Sequence, residues 1–136
     1  MKILLASSEV FPYSKTGGLA DMVAALAKTL AQQGHRVGLV TPLYASVRSK
    51  APDLAPFDWR MDLPMGWGMA SAKVWTLNPT PGLTIYFIDA PYYFDRPGIY
   101  GEKGGSYDDN AARFIYFCKA AVQLARYLPW EPEIVH

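Results

Sequence analysis

Lys15-Thr16-Gly17-Gly18-Leu19-Ala20-Asp21 stands between an apolar run, Lys2 to Ser8, and an amphipathic run, Leu19 to Gln33. The first run is continuously apolar from Ile3 to Ala6, as expected of a parallel strand covered on both faces. In the second, Leu19, Val23, Leu26 and Leu30 recur at helical spacing, and Gly34 supplies a stop. Arg36-Val37-Gly38-Leu39-Val40-Thr41 then reads as a second strand, so the first forty residues make one βαβ unit. A Lys, two glycines and a helix start, in that order, suit an anion such as a phosphate. Glycine lets a ligand come close to the backbone. The unpaired N–H groups of a helix's first turn point at it, and the helix dipole favours negative charge there. Lys15 adds a mobile positive charge.

Two familiar phosphate fingerprints are excluded. A P-loop places Lys after its glycines, whereas Lys15 precedes Gly17 and Gly18. A dinucleotide fold needs Gly-x-Gly-x-x-Gly and an acidic residue after the second strand, but here that strand runs into Thr41-Pro42.

Further along, Ala45 to Lys50 suggests a short helix. Asp58–Leu63, Ala70–Leu77 and Leu83–Ile88 read as a meander of strands, separated by Pro64-Met65-Gly66-Trp67-Gly68 and Asn78-Pro79-Thr80-Pro81-Gly82. Asp89 to Gly105 reads as a loop, within which Asp95 and Arg96 are expected to pair. Ser106 to Leu128 reads as a long helix, opened by a Ser106–Asp109 capping box and buried along Phe114, Cys118, Ala121, Ala125 and Leu128. Glu133 to His136 begins a strand without the loop that would follow it, so the sequence reads as a piece of a longer protein.

Composition narrows the class further. The 136 residues fit one domain, and 51% apolar content supports a real core. A net charge of +1 gives no reason to invoke nucleic acid. One cysteine and two histidines argue against a disulfide or a structural zinc site. The N-terminal apolar run is too short for a signal peptide or a membrane span, so a cytoplasm-like compartment is expected.

Three segments carry a family resemblance: Leu4 to Asp21, Tyr92-Tyr93-Phe94-Asp95-Arg96-Pro97-Gly98-Ile99-Tyr100-Gly101, and Tyr107-Asp108-Asp109-Asn110-Ala111-Ala112-Arg113-Phe114. Together they resemble the N-terminal domain of bacterial glycogen synthase and plant starch synthase, glycosyltransferase family five. The resemblance implies an α/β fold, a Rossmann-like open sheet forming the N-terminal half of a two-domain GT-B enzyme, incomplete at its last strand and lacking the C-terminal nucleotide-binding domain. It implies an ADP-glucose:α-1,4-glucan glucosyltransferase, retaining, working on the non-reducing end of a glucan, with no metal or other cofactor. The isolated chain is expected to be inactive.

On that resemblance Lys15, Gly17, Gly18 and Asp21 belong to the ADP-glucose side, and Glu9 and Tyr93 to the acceptor and sugar side. His136 matches the start of the family's His-x-His-Asp-Trp segment. Asp21 also complements the helix dipole, Glu9 could be a solvated loop acid, and Tyr93 could equally pack. Position 94 is Phe where the family often has Tyr. The implied location is the bacterial cytoplasm or a plant plastid. The alternatives are a non-catalytic glucan- or sugar-nucleotide-binding module, and a GT-B enzyme with another donor.

Overall fold

The computed structural model describes residues 1–136. The elements, in chain order, are β1 (Lys2–Ala6), α1 (Gly18–Gln32), β2 (Arg36–Pro42), α2 (Val47–Lys50), β3 (Ala55–Met65), β4 (Gly68–Thr80), β5 (Leu83–Asp89), α3 (Pro91–Phe94), β6 (Gly101–Glu102), β7 (Gly105–Ser106), α4 (Asn110–Tyr127) and β8 (Ile134–Val135). Six strands form one sheet in the order β3-β4-β5-β2-β1-β8, and β6 pairs with β7. The β5-β2-β1-β8 part is parallel. The expected meander is present as antiparallel β3-β4-β5. Its strands run longer than their apolar cores suggest, with irregularities at Phe57/Arg60 and Leu77/Thr80 absorbing the length.

The two long helices lie on opposite faces. α1 packs on β2 and β5, where Ala27 meets the same space as Leu39 and Ile85. Gly38, one residue from Leu39, points the other way. A Cβ there would stand 2.9 Å from both Leu4 Cδ1 and Trp130 Cζ2, so glycine is what lets the Trp130 indole reach the sheet. Trp130 Nε1 donates to Tyr86 Oη at 3.2 Å on that face, and α4 packs beside it against β3 and β2.

Four expectations are corrected. Leu19 is 43% exposed, and the buried stripe of α1 is instead Ala20, Val23, Ala27 and Ala31. Small side chains let this helix lie close on the sheet, and Leu26 and Leu30 pack at its margins. α4 begins at Asn110, not Ser106, because Ser106 is engaged in β7 and no side chain caps the helix. Asp109 instead takes both guanidinium nitrogens of Arg96 at 2.7 Å, displacing the expected Asp95–Arg96 pair. Finally, Cys118 is exposed, because the inward face of α4 is Arg113, Tyr116, Phe117, Ala120, Ala121 and Leu124.

Candidate functional site at the carboxyl edge of the sheet

The parallel strands reverse their order about β1: β2 and β5 lie to one side, β8 to the other. Ligands of open α/β sheets settle outside the carboxyl ends of strands at such a reversal. The segment leaving β1 there is Ser7 to Gly17, which carries Glu9, Lys15 and Gly17 and runs directly into Gly18 and Asp21 of α1.

That segment folds back on α1. Val10 bridges to Ser14, and the Phe11 N–H donates to Ala20 O at 3.2 Å. Glu9 is 2% exposed, so it is not a solvated loop acid. Its Oε1 accepts from the Thr16 N–H at 2.8 Å and from the Thr16 hydroxyl, which holds the approach to the glycines. Gly17 precedes α1 in an extended conformation and provides no side-chain cap. The first-turn N–H groups of α1 therefore face outward without a side-chain acceptor.

The glycines themselves are informative. Extended backbone at Gly17, with φ −161°, is open to any residue. A Cβ at Gly17 or Gly18 would meet nothing within 4 Å. The fold does not need glycine at either position, and the space in front of both is free. Lys15 Nζ pairs with Asp21 in the first turn of α1, 2.6 Å from its Oδ2, and lies 5.6 Å from the Phe11 ring. Both partners of the ion pair are about half exposed, so it is weak and exchangeable with another anion.

A second layer ties the strand ends together. Ser8 Oγ and Tyr100 Oη share a 2.7 Å hydrogen bond, and Tyr44 Oη donates to Ser8 O at 2.8 Å. Burial raises the pKa of both phenols, and the negative charge of Glu9 adds to this, so both remain protonated. Residues following β1, β2 and β5 thus meet at Ser8.

Tyr93 is 1% exposed and packs on Tyr116, with ring centroids 4.9 Å apart. Of its two readings, packing is the one its ring adopts. Its hydroxyl accepts from Trp67 Nε1 at 3.3 Å. Phe94 is fully buried against Tyr44, edge to face at 5.8 Å. His136 pairs its backbone with β1, its N–H donating to Leu4 O at 2.9 Å and its O accepting from Ala6 N–H at 2.8 Å. This puts it at the same carboxyl edge as Glu9. Arg96 and Asp109 hold the loop after β5. No group of three or more His, Cys, Asp or Glu side chains is placed to hold a metal ion.

Of two further features, the first is expected, since Asn110 and Arg113 read as holding the loop before the helix, and the second is unread in the sequence. Arg113 lies fully buried beneath the site, donating to Tyr93 O at 2.7 Å, Ile99 O at 2.8 Å and Asn110 Oδ1 at 2.8 Å. Trp67 and Tyr92 stand exposed at the same edge. A Trp between two glycines at a hairpin tip, Gly66-Trp67-Gly68, was the available signal for the second.

Relatives match this arrangement along the whole of the chain. Residues 2–136 match the starch synthase catalytic domain model. The chain belongs to the starch synthase catalytic domain family. Glycogen synthases of Opitutus terrae and Syntrophotalea carbinolica are 41% and 39% identical over the whole chain. The chain spans about 28% of the length of each of these relatives. The catalytic domain of starch synthase IV from Arabidopsis thaliana, bound to ADP and acarbose, superposes on 99% of the chain at a TM-score of 0.80 and 32% identity. The match covers 27% of that chain. The sheet and its β1–α1 turn are therefore those of a family fold. No helix is long and apolar enough to cross a membrane.

Proposed function

We propose that the chain forms the leaving-group half of an ADP-glucose:α-1,4-glucan 4-α-glucosyltransferase. The reaction transfers glucose with retention to the non-reducing end of glycogen or starch. The observation that carries this is the free space before Gly17 and Gly18, at an uncapped helix start, with Lys15 beside it. Breaking the bond between glucose and diphosphate develops positive charge on the sugar and negative charge on the departing phosphates. Fixed first-turn N–H groups and Lys15 would stabilise those phosphates without reorganising, which is where enzymes gain most. Asp21 would hold Lys15 until the phosphates displace it. Glu9 acts through Thr16, keeping the glycine turn in place. His136 would lie at the sugar side of the cleft. The chemistry uses no cofactor beyond the donor.

The groups that complete the cleft and hold the adenosine are assigned to a second Rossmann-like domain in the additional length that its relatives carry. Closure of that cleft would exclude water. Purified chain incubated with labelled ADP-glucose and glycogen is therefore expected to elongate no glucan. On this reading the protein works in the bacterial cytoplasm or in a plastid.

Calorimetric titration of the chain with ADP tests the phosphate site. Lys15→Ala is expected to weaken binding about ten-fold, as loss of one charge-assisted hydrogen bond does. Equal ADP affinity in wild type and Lys15→Ala would remove the proposal. Competition between ADP-glucose and UDP-glucose in a full-length protein carrying this chain decides the donor.

A further inference from the structure

We propose that Trp67 and Tyr92 form a stacking platform for an α-1,4-linked glucan, outside the phosphate site. This rests on the glucosyltransferase reading and extends it along the sheet edge.

The two rings are the most exposed aromatics of the chain: Trp67 is 64% exposed and Tyr92 is 72% exposed. They face each other at a centroid separation of 6.0 Å, inclined by 53°. Each is held. Trp67 Nε1 is bonded to Tyr93 Oη, which fixes the indole's orientation. Tyr92 stands edge-on to Tyr93 at 5.0 Å, and Arg96 donates to its carbonyl at 3.1 Å. Tyr93 is in turn locked against Tyr116 in the core. A binding surface whose rings are already ordered loses little side-chain freedom on binding.

Topology puts the platform where a glucan would need it. Trp67 lies in the turn between β3 and β4, and Tyr92 lies in α3, directly after β5. Because β4 runs antiparallel to β5, that turn and α3 both sit at the carboxyl edge. β5 is two strands from β1 and β4 is three. At about 4.8 Å per strand, the platform lies roughly 10–15 Å along the edge from the segment after β1.

The chemistry selects a neutral, ring-bearing ligand. The rings carry no charge, and the C–H faces of sugars pack well on aromatic faces. Successive glucoses of an α-1,4 chain turn relative to one another, which suits two inclined rings. The flat ribbon of a β-1,4 chain suits coplanar ones. An aromatic stripe that merely completed the core would be buried, as Tyr93, Phe94 and Tyr116 are.

Titration of the 136-residue chain with maltoheptaose, cellohexaose and ADP, followed by NMR, tests this. Maltoheptaose is expected to perturb the Trp67 indole N–H, with cellohexaose much weaker. Trp67→Ala and Tyr92→Ala are each expected to lower maltoheptaose affinity about ten-fold, the scale of one lost aromatic stack. Trp67→Phe keeps a stacking face and should retain most of it. ADP affinity and thermal midpoint should not change in any variant. The platform is overturned if maltoheptaose leaves wild type unperturbed, if the double alanine variant binds it equally, or if cellohexaose binds as well. It is also overturned if sedimentation shows self-association through Trp67, which would give the face to a second copy. In each of these outcomes, Lys15-dependent ADP binding would keep the functional reading standing. Loss of both would end both.

Discussion

Two of the segments that leave the carboxyl ends of parallel strands in this protein contain functionally suggestive glycines. The loop after β5 is built around its glycines. A Cβ on Gly98 would fall 1.8 Å from Gly101 O, and one on Gly101 would fall 1.8 Å from Gly105 O. Arg113 clamps that loop from below, and the Arg96–Asp109 pair clamps it from the side. The loop after β1 is held at its far end by Glu9 and the exposed Lys15–Asp21 pair, and a Cβ on its Gly17 or Gly18 would meet nothing within 4 Å. Glycine in the first loop serves the fold, and glycine in the second leaves room for something else. The contrast separates scaffold from binding surface on one sheet edge.

The contrast breaks most visibly at Arg113. Arg113→Ala would orphan the carbonyls of Tyr93 and Ile99 and open a cavity among Phe94, Tyr107 and Phe114. It is expected to cost about 3–5 kcal/mol in urea unfolding, the scale for breaking a buried polar network. A loss under about 1 kcal/mol would show that the clamp is ornamental. Next, Gly101→Ala forces backbone apart and should cost at least ~2 kcal/mol by the same measurement, as overpacking does. Wild-type stability there would mean the loop is soft.

In the β1 loop, Glu9→Ala removes an acceptor from two donors on Thr16 and should cost about 1.5–2 kcal/mol. ADP binding should fall with it, because the glycine turn loses its tether. Unchanged ADP affinity would detach Glu9 from the site. A smaller effect concerns acid. The hydrogen bond from Arg96 holds the Asp109 carboxyl below its ordinary pKa. Its contribution is thus present above about pH 4, the unfolded value, and is lost as pH falls through the depressed folded value. Asp109→Asn should flatten this part of the acid-unfolding curve by only a little, since the pair is partly solvated. The smallest stability effect is expected at Gly17→Ala and Gly18→Ala, within about 0.5 kcal/mol. The same variants should lose ADP affinity, and a large destabilisation would erase the contrast between the loops.

Much of this was legible in the chain. The βαβ unit, the meander and the phosphate-suited turn are announced by local signals: apolar period, glycine and proline punctuation, and charge beside a helix start. Element positions were close wherever the pattern was local, as at Leu83–Asp89. Errors arose where a residue's partner lies far along the chain. Asp109 reads as a cap from its neighbours, yet it serves Arg96 thirteen residues back. Cys118 reads as core from its spacing, but the arc of α4 turned inward is set by β3 and β2.

Fold class, family and the place of Lys15, Gly17 and Gly18 at a helix start rest on runs of adjacent residues, and so can be read directly along the chain. Which glycines have free space, that Tyr93 is buried while Tyr92 and Trp67 are not, and that Arg113 is fully buried beneath them depend on the assembled sheet. Exposure and steric room are properties of a face, and a face is assembled from strands that the chain visits at widely separated positions.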